Sequence, residues 1–377
     1  MKRLLSTDQA RRVLLRGAGL DPGAPDRPAT VTALLERLGA FQLDPIDRIG
    51  TSQDLVVQAR LGPTPRGAWA RPQQEGAAFE HFAKERCQLP ARLFPVWRDQ
   101  IAASHRWWRT PERLQKLDPA LIDDVLAEIA ARGPIGAQEL TPRGRVEPLD
   151  WNGWKGTASA ASMAVEVLWT RCAVVTAGRG PRGQRRYDVP KRALPTVWDA
   201  PAPADLDRAL LDHRVRCATL LPAQTGPWWG MLEDARRAGR PAELVAEGAW
   251  VAVGVEGSRR TWYTTPDALE RADAPLDHDD LMRAIGPLDP LIWDRELVRL
   301  AFGFSYTWEV YKPAAAREYG YYVVPLLWRG RLVGRFEGKR DALGRVEVLG
   351  RWGDVPDAPF AALLDRLAGP VEPPPAR

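Results

Sequence analysis

Gln42 and Asp44, in the stretch GAFQLDPIDRIG at 39–50, set an amide and a carboxylate two residues apart. An extended chain sends successive side chains to opposite faces, so Gln42 and Asp44 share one face and Phe41 and Leu43 the other. Pro45 favours this geometry, because a residue before proline is pushed out of the helical region. The two groups then lie about 7 Å apart, one strand repeat. A carboxylate so placed can stabilise a carbon developing positive charge and can accept a proton from the water that attacks it. An amide can donate to and accept from the same water, fixing its direction without acting as a base. Both residues also suit turn chemistry, with Asp44 starting a turn and Gln42 satisfying backbone groups.

The elements that must position this pair are helical. Ser6 and Gln9 have capping-box spacing, with Ala10, Val13 and Leu14 as a stripe behind them. A second helix starts at Thr30, with Val31, Leu34, Leu35 and Leu38 on one side and Gly39 as its terminator, so the chain passes directly into FQLDP. SQDLVVQARLG is a further amphipathic stretch.

From residue 118 the pattern changes. DPALIDDVLAEIAARG has Asp118 as cap, Pro119 at the first helical position and Gly133 as terminator. PIGAQEL reads as a short helix, ASMAVEVLWTRC as a third, and AVVTAGR, GPRGQ and RRYDVP as a hairpin. Helix, helix, helix, hairpin is the order of a winged helix. A looser version recurs in PADLDRALLDHRVRCATLL, PAELVAEG and the hairpin AWVAVGV, EGSRR, TWYTT. Beyond 288, TWEVYK, GYYVVPLLWRGRLVGRFEG and GRVEVLGRW read as an antiparallel sheet with a tight turn at Arg329 and Gly330. The expected organisation is α+β. It comprises a helical, winged unit at 1–115, a winged helix with a basic wing at 116–200, a third winged unit at 201–287, a β-rich region at 288–355 and a disordered tail at 356–377.

With 377 residues, 45% of them hydrophobic and 8% aromatic, the chain can build real cores. Most of the sixteen tryptophans, such as Trp169 and Trp293, sit at apolar positions and belong to those cores. The net charge is +5, and all but seven of the 53 basic residues are Arg. This excess supports a nucleic-acid partner, and it equally suits the codon bias of a GC-rich genome. Arg179, Arg182, Arg185 and Arg186 crowd one short hairpin, a phosphate-binding candidate or a solvated turn. Arg317, Tyr319, Tyr321 and Tyr322 gather at a loop-to-strand transition suited to stacking or a wedge. Cys87, Cys172 and Cys217 are far apart, and His81, His105, His213 and His278 are isolated, so neither a disulfide framework nor a metal site is expected. No phosphate-loop or dinucleotide fingerprint is present, and no cofactor is expected. The absence of a signal or membrane-length apolar segment points to a cytoplasmic protein without a membrane partner.

The QΦD element followed by several winged units resembles the AlkZ/YcaQ-like DNA glycosylases, a family linked to alkylation and interstrand-crosslink repair. The strongest stretches are LGAFQLDPIDRI, FEHFAKERCQLP, WTRCAVVTAGRGPRGQRRYDVP and the long run from LDPLIWDRELVRL to PLLWRGRLVGR. The resemblance implies tandem winged helices in a C-shaped arrangement, with Gln42, Leu43 and Asp44 as the catalytic element of the Asp-bearing branch. Relatives often carry His in the following helix, where TSQDLV has Gln53. Glu80, His81 and Glu85, aligned at helical spacing, would approach the lesion or form a polar helix face.

The expected activity is excision of a cationic alkylated purine from double-stranded DNA by a monomer. A base already carrying positive charge leaves readily, so two residues suffice. The lysines nearest Gln42 in sequence are Lys2 and Lys84, which leaves no evident amine nucleophile for strand cleavage, and a monofunctional enzyme is expected. A non-enzymatic winged-helix regulator would bind DNA through the same wings. A metal-dependent nuclease would use Asp44 and Asp47.

Overall fold

The computed structural model describes residues 2–104, 110–147, 149, 157–181 and 183–368, so Arg182 and the tail 369–377 lie outside the described residues. The chain forms two compact units.

The first unit holds the described residues of Met1–Trp69, Phe82–Cys87 and Asp207–Glu372. The capping box at Ser6 opens the helix Thr7–Gly17, which buries Ala10, Val13, Leu14 and Leu15. Just before it, the strand Arg3–Leu5 runs parallel to Val251–Val255, which pairs antiparallel with Trp262–Thr264. Leu5, Val13, Val253, Trp262 and Leu297 meet in one core. The N-terminal strand therefore completes the sheet of the third expected winged unit, and the expected limit at 287/288 falls within this unit.

A second antiparallel sheet follows the order Arg283–Ala284, Val323–Trp328, Arg331–Arg340, Val346–Gly353. Its tight turn is at Arg329 and Gly330, both at positive φ as a two-residue hairpin of this twist requires. TWEVYK is not a strand: 307–312 is an irregular loop whose Glu309 carboxylate takes backbone N–H groups of 318–320. The expected tail also needs correction. Asp357–Leu367 is a helix whose Phe360, Leu363 and Leu367 enter a core with Ile49, Leu55 and Phe336. Their i, i+3, i+7 spacing buries one stripe, and that burial outweighs the disorder suggested by the prolines nearby.

The second unit comprises described residues of Ala70–His81 and Gln88–Leu206. Asp118 caps Pro119–Arg132 by accepting from the Ala120 N–H at 2.9 Å, and the helix stops at Gly133. PIGAQEL is not a helix. Ile135–Gly136 is a short strand paired with Arg186 and Tyr187, followed by one turn of 3₁₀ helix at Ala137–Glu139. So short a segment gains more from an existing strand edge than from nucleating a helix. The helix Ala160–Thr170 and the hairpin Val175–Arg179 with Arg185–Asp188 form where the sequence places them, so the order is helix, short strand with a 3₁₀ turn, helix, hairpin.

FEHFAKE is also not a helix. Ala78–Phe82 and Arg86–Pro90 are strands joined by a tight turn, so the shared face of Glu80, His81 and Glu85 does not exist. The tip of this hairpin, Phe82–Cys87, belongs to the first unit. Among the described residues no helix is long and apolar enough to cross a membrane.

Candidate active site

Gly39 ends the helix Val31–Leu38 at φ 73°, where a Cβ would meet Cys217 Sγ at 2.5 Å and His213 Nε2 at 2.7 Å. Only glycine fits that backbone turn, which delivers the strand Phe41–Gln42. Phe41 is buried, and the Leu43 N–H donates to the Arg86 carbonyl at 2.9 Å. Gln42 is nearly buried, and its Oε1 accepts from Lys84 Nζ at 3.1 Å.

Asp44 is gripped through its own peptide. Gln53 Oε1 accepts the Asp44 N–H at 3.2 Å, and Gln53 Nε2 donates to the Asp44 carbonyl at 3.3 Å. An amide pairs with a backbone N–H and C=O in this two-point way, which an imidazole cannot match. Asp44 Oδ1 accepts the Ile46 N–H at 2.8 Å, leaving Oδ2 without a protein partner among the described residues. Partial burial raises the carboxyl pKa, and the Ile46 bond opposes that rise.

The segment after Asp44 is pinned on three carbonyls. Arg340 N donates to Arg48 O at 2.8 Å, Arg340 Nη2 to Ile49 O at 3.0 Å and Tyr322 Oη to Gly50 O at 3.2 Å. The helix Ser52–Leu61, which carries Gln53, is anchored by fully buried Arg60 in a bidentate pair with Asp289, Nη2 to Oδ1 at 2.8 Å. Burial, then the neighbouring Tyr306, Asp44 and Asp54, hold the Tyr322 hydroxyl well above its ordinary range.

The tyrosine loop is equally constrained. Glu309, 3% exposed, accepts the N–H groups of Glu318 at 3.2 Å, Tyr319 at 2.8 Å and Gly320 at 3.4 Å. Lys312 donates to it at 2.7 Å. This ammonium, with those N–H groups, lowers the Glu309 carboxyl to about 2. Glu337 Oε1 takes the N–H groups of Tyr321 at 2.7 Å and Tyr322 at 3.1 Å. Arg317 donates to the Lys312 carbonyl and covers the Tyr321 ring at 5.0 Å, with Arg48 at 5.4 Å from the same ring. Arg335 sits 4.1 Å from the Tyr319 ring.

Among the described residues, the hairpin arginines Arg179, Arg185 and Arg186 have internal partners. Arg179 pairs with Glu80, which is fully buried and also accepts from Gln73 Nε2 at 2.9 Å. Arg185 reaches Glu166 at 2.9 Å and lies over Trp169 and Tyr187. Arg186 donates to the Pro134 carbonyl and faces Glu139 at 3.5 Å. His81 is buried beside Trp169, its Nε2 3.2 Å from the Thr170 carbonyl. Glu80 and His81 thus lie inside the second unit, while Glu85 is exposed in the turn beside Lys84.

Lys84 is 42 residues from Gln42 in sequence, yet the turn Phe82–Cys87 brings its amine into hydrogen-bond range. No periodicity signals that approach, because it depends on a hairpin read as a helix. Asp47 is paired with Arg66, and no group of His, Cys, Asp and Glu among the described residues could hold a metal.

A family model described as DNA glycosylase AlkZ-like matches residues 35–369. The solved structure of the Streptomyces sahachiroi DNA glycosylase AlkZ shares the fold, with a TM-score of 0.61 at 15% identity over 99% of each chain. The matched stretch holds both Gln42 with Asp44 and the tyrosine loop, and the chain belongs to the AlkZ-like DNA glycosylase family, enzymes of DNA repair.

Proposed function

We propose that this glycosylase is monofunctional and removes cationic alkylated purines of the N7-alkylguanine type from double-stranded DNA, including purines tied into interstrand crosslinks. The observation that carries this reading is Asp44: a half-buried carboxylate with one oxygen held by Ile46 and the other without a protein partner among the described residues, its peptide clamped by Gln53. In the proposed step a water oxygen bonds to the anomeric carbon while the glycosidic bond breaks toward the base. The departing electron pair neutralises the base, and the water's proton passes to Asp44. Negative charge on Asp44 also stabilises the oxocarbenium character of the sugar. Gln42 orients the water. No leaving-group acid is required, because the purine departs neutral.

The enzyme works as a monomer, the winged units adopt an open C-shaped arrangement that admits a crosslinked base without full flipping, and Arg317, Tyr319, Tyr321 and the hairpin arginines touch the duplex. Arg335 lies over the Tyr319 ring and both Arg317 and Arg48 lie over Tyr321, so a base stacking on either tyrosine shares it with arginine.

The test is a duplex carrying one N7-methylguanine, developed with alkali, with chelator present and an alkali-free control. Chelator-resistant cleavage that needs alkali and vanishes in Asp44→Asn supports the reading. Intact DNA binding without base release, on this and on a mustard-crosslinked duplex, sinks it.

A further inference from the structure

We propose that Lys84 is a positioning residue for base excision: it holds the Gln42 amide with its oxygen turned to the lysine and its NH2 presented to the attacking water. Gln42 then acts only as a donor, and Asp44 is the sole proton acceptor of the pair. This inference rests on the reading of Gln42 and Asp44 as the catalytic pair.

A lysine side chain offers donors and, when protonated, no acceptor. At 3.1 Å from Nζ, the near atom of the Gln42 amide must be oxygen, because the reversed amide would set two donors face to face. The Gln42 Nε2 has no protein partner among the described residues, so both its N–H bonds are available to a substrate or a water.

Lys84 is itself held. It sits in the turn between the strands Ala78–Phe82 and Arg86–Pro90, with Nζ 5.0 Å from the Trp293 ring centre. That ring is locked by Nε1 donating to Leu288 O at 2.8 Å and by Trp228 at 4.6 Å. No carboxylate lies within ion-pair distance of Lys84 among the described residues, so no strong competitor draws Nζ away from Gln42. Burial lowers the Lys84 pKa, and neighbouring Arg295 adds to this while Cys87 and Glu85 oppose it. A neutral amine would carry a lone pair able to accept from a reversed amide, so the orientation is the one the ammonium form imposes.

The consequence is a division of labour. A water between the pair accepts from Gln42 and donates to Asp44, which leaves a lone pair for the anomeric carbon. With the amide flipped, Gln42 would instead draw on the water's hydrogens and compete with Asp44.

The experiment measures single-turnover excision and DNA affinity for wild type, Lys84→Met, Lys84→Arg, Gln42→Ala and the Lys84→Met/Gln42→Ala double variant. Loss of a charge-assisted hydrogen bond predicts a rate lower by roughly ten- to a hundred-fold in Lys84→Met, with DNA affinity unchanged. Lys84→Arg, which also only donates, recovers most of the rate. The double variant is no slower than Gln42→Ala, because the lysine acts through the amide. A wild-type rate in Lys84→Met, or losses that multiply in the double variant, overturns the proposal. So does a borohydride-trapped covalent complex that disappears with Lys84→Met, which would make Lys84 the nucleophile of a lyase step. Failure of the wild type to release any base refutes the underlying glycosylase mechanism instead. Lys84→Arg keeps the test decisive if Lys84→Met folds poorly.

Discussion

Two arginine- and tyrosine-rich regions use carboxylates in opposite ways. In the hairpin of the second unit, Glu80, Glu166 and Glu139 face Arg179, Arg185 and Arg186, so positive charge is neutralised within the fold. In the loop 318–322 of the first unit, Glu309 and Glu337 instead receive backbone N–H groups, so negative charge fixes the path of the chain. One arrangement spends arginines on structure; the other spends carboxylates to hold a surface in place beside the residues around Asp44. Counting arginines along a sequence therefore overstates the charge that reaches a phosphate. A loop that looks unstructured by composition can be rigid when a buried carboxylate collects its amides.

The largest effect is expected at the reacting pair. Asp44→Asn removes the proton acceptor but keeps an oxygen for the Ile46 N–H, and it should slow excision by roughly a hundred- to ten-thousand-fold without weakening DNA binding. Because burial raises the Asp44 pKa, the ionised form is penalised by folding. The sign follows: the contribution of Asp44 to stability is favourable in acid and lost as pH rises through its raised pKa, so at neutral pH Asp44→Asn should not lower Tm and should slightly raise it. The acid limb of the wild-type rate should lie above the ordinary carboxylate range. A variant that unfolds earlier than wild type, measured by calorimetry, would contradict a site that trades stability for function.

The next largest effect belongs to Glu309. Glu309→Ala strands three backbone N–H groups and Lys312, and should cost about 3 kcal/mol in urea unfolding. The wild-type carboxyl is depressed from 4.5 to about 2, so its contribution is present above its unfolded pKa and is lost as pH falls through that interval. Glu309→Ala should flatten that part of the stability curve. If the stability of both proteins falls in parallel with acid, Glu309 is not what holds the loop.

Local rules made much of this fold legible. The capping box at Ser6, the Gly39 terminator, the Asp118, Pro119 and Gly133 triplet and the Arg329-Gly330 turn each depend on a few adjacent residues, and each forms where the sequence places it. What failed depends on partners outside the segment itself. FEHFAKE has helical spacing but pairs as a hairpin, TWEVYK has strand composition but gives up Glu309 to the amides of 318–320, and PIGAQEL finds a strand edge. Of the candidate site, Gln42 and Asp44 were visible because they are neighbours. Lys84 and the two-point clamp by Gln53 were not, since both require the tertiary path of the chain.

Gln53 gives the third effect. Gln53→Ala removes both bonds to the Asp44 peptide while leaving the reacting carboxylate, and should cost about 1–2 kcal/mol of stability and roughly ten-fold in rate. Gln53→His keeps a side chain that relatives often carry but makes at most one of the two bonds, so its rate should fall between those of wild type and Gln53→Ala. Equal rates for all three would show that the peptide clamp does not position Asp44.

The smallest effect decides what the hairpin is for. Arg185 is held between Glu166 at 2.9 Å and the rings of Trp169 and Tyr187, so a phosphate must compete with a carboxylate already in place. Glu166→Gln keeps the size of that partner and removes its charge. If Arg185 meets the backbone of DNA, the released guanidinium should tighten binding by less than about 1 kcal/mol and steepen the salt dependence by at most about one counterion. Arg185→Gln should then lose more affinity in the Glu166→Gln background than in wild type. Equal salt slopes in all four proteins, by fluorescence anisotropy across a salt series, would make Arg185 part of the interior of the second unit. The duplex contacts would then rest on the first unit, where the carboxylates shape the loop and Arg317 beside it has no carboxylate partner among the described residues.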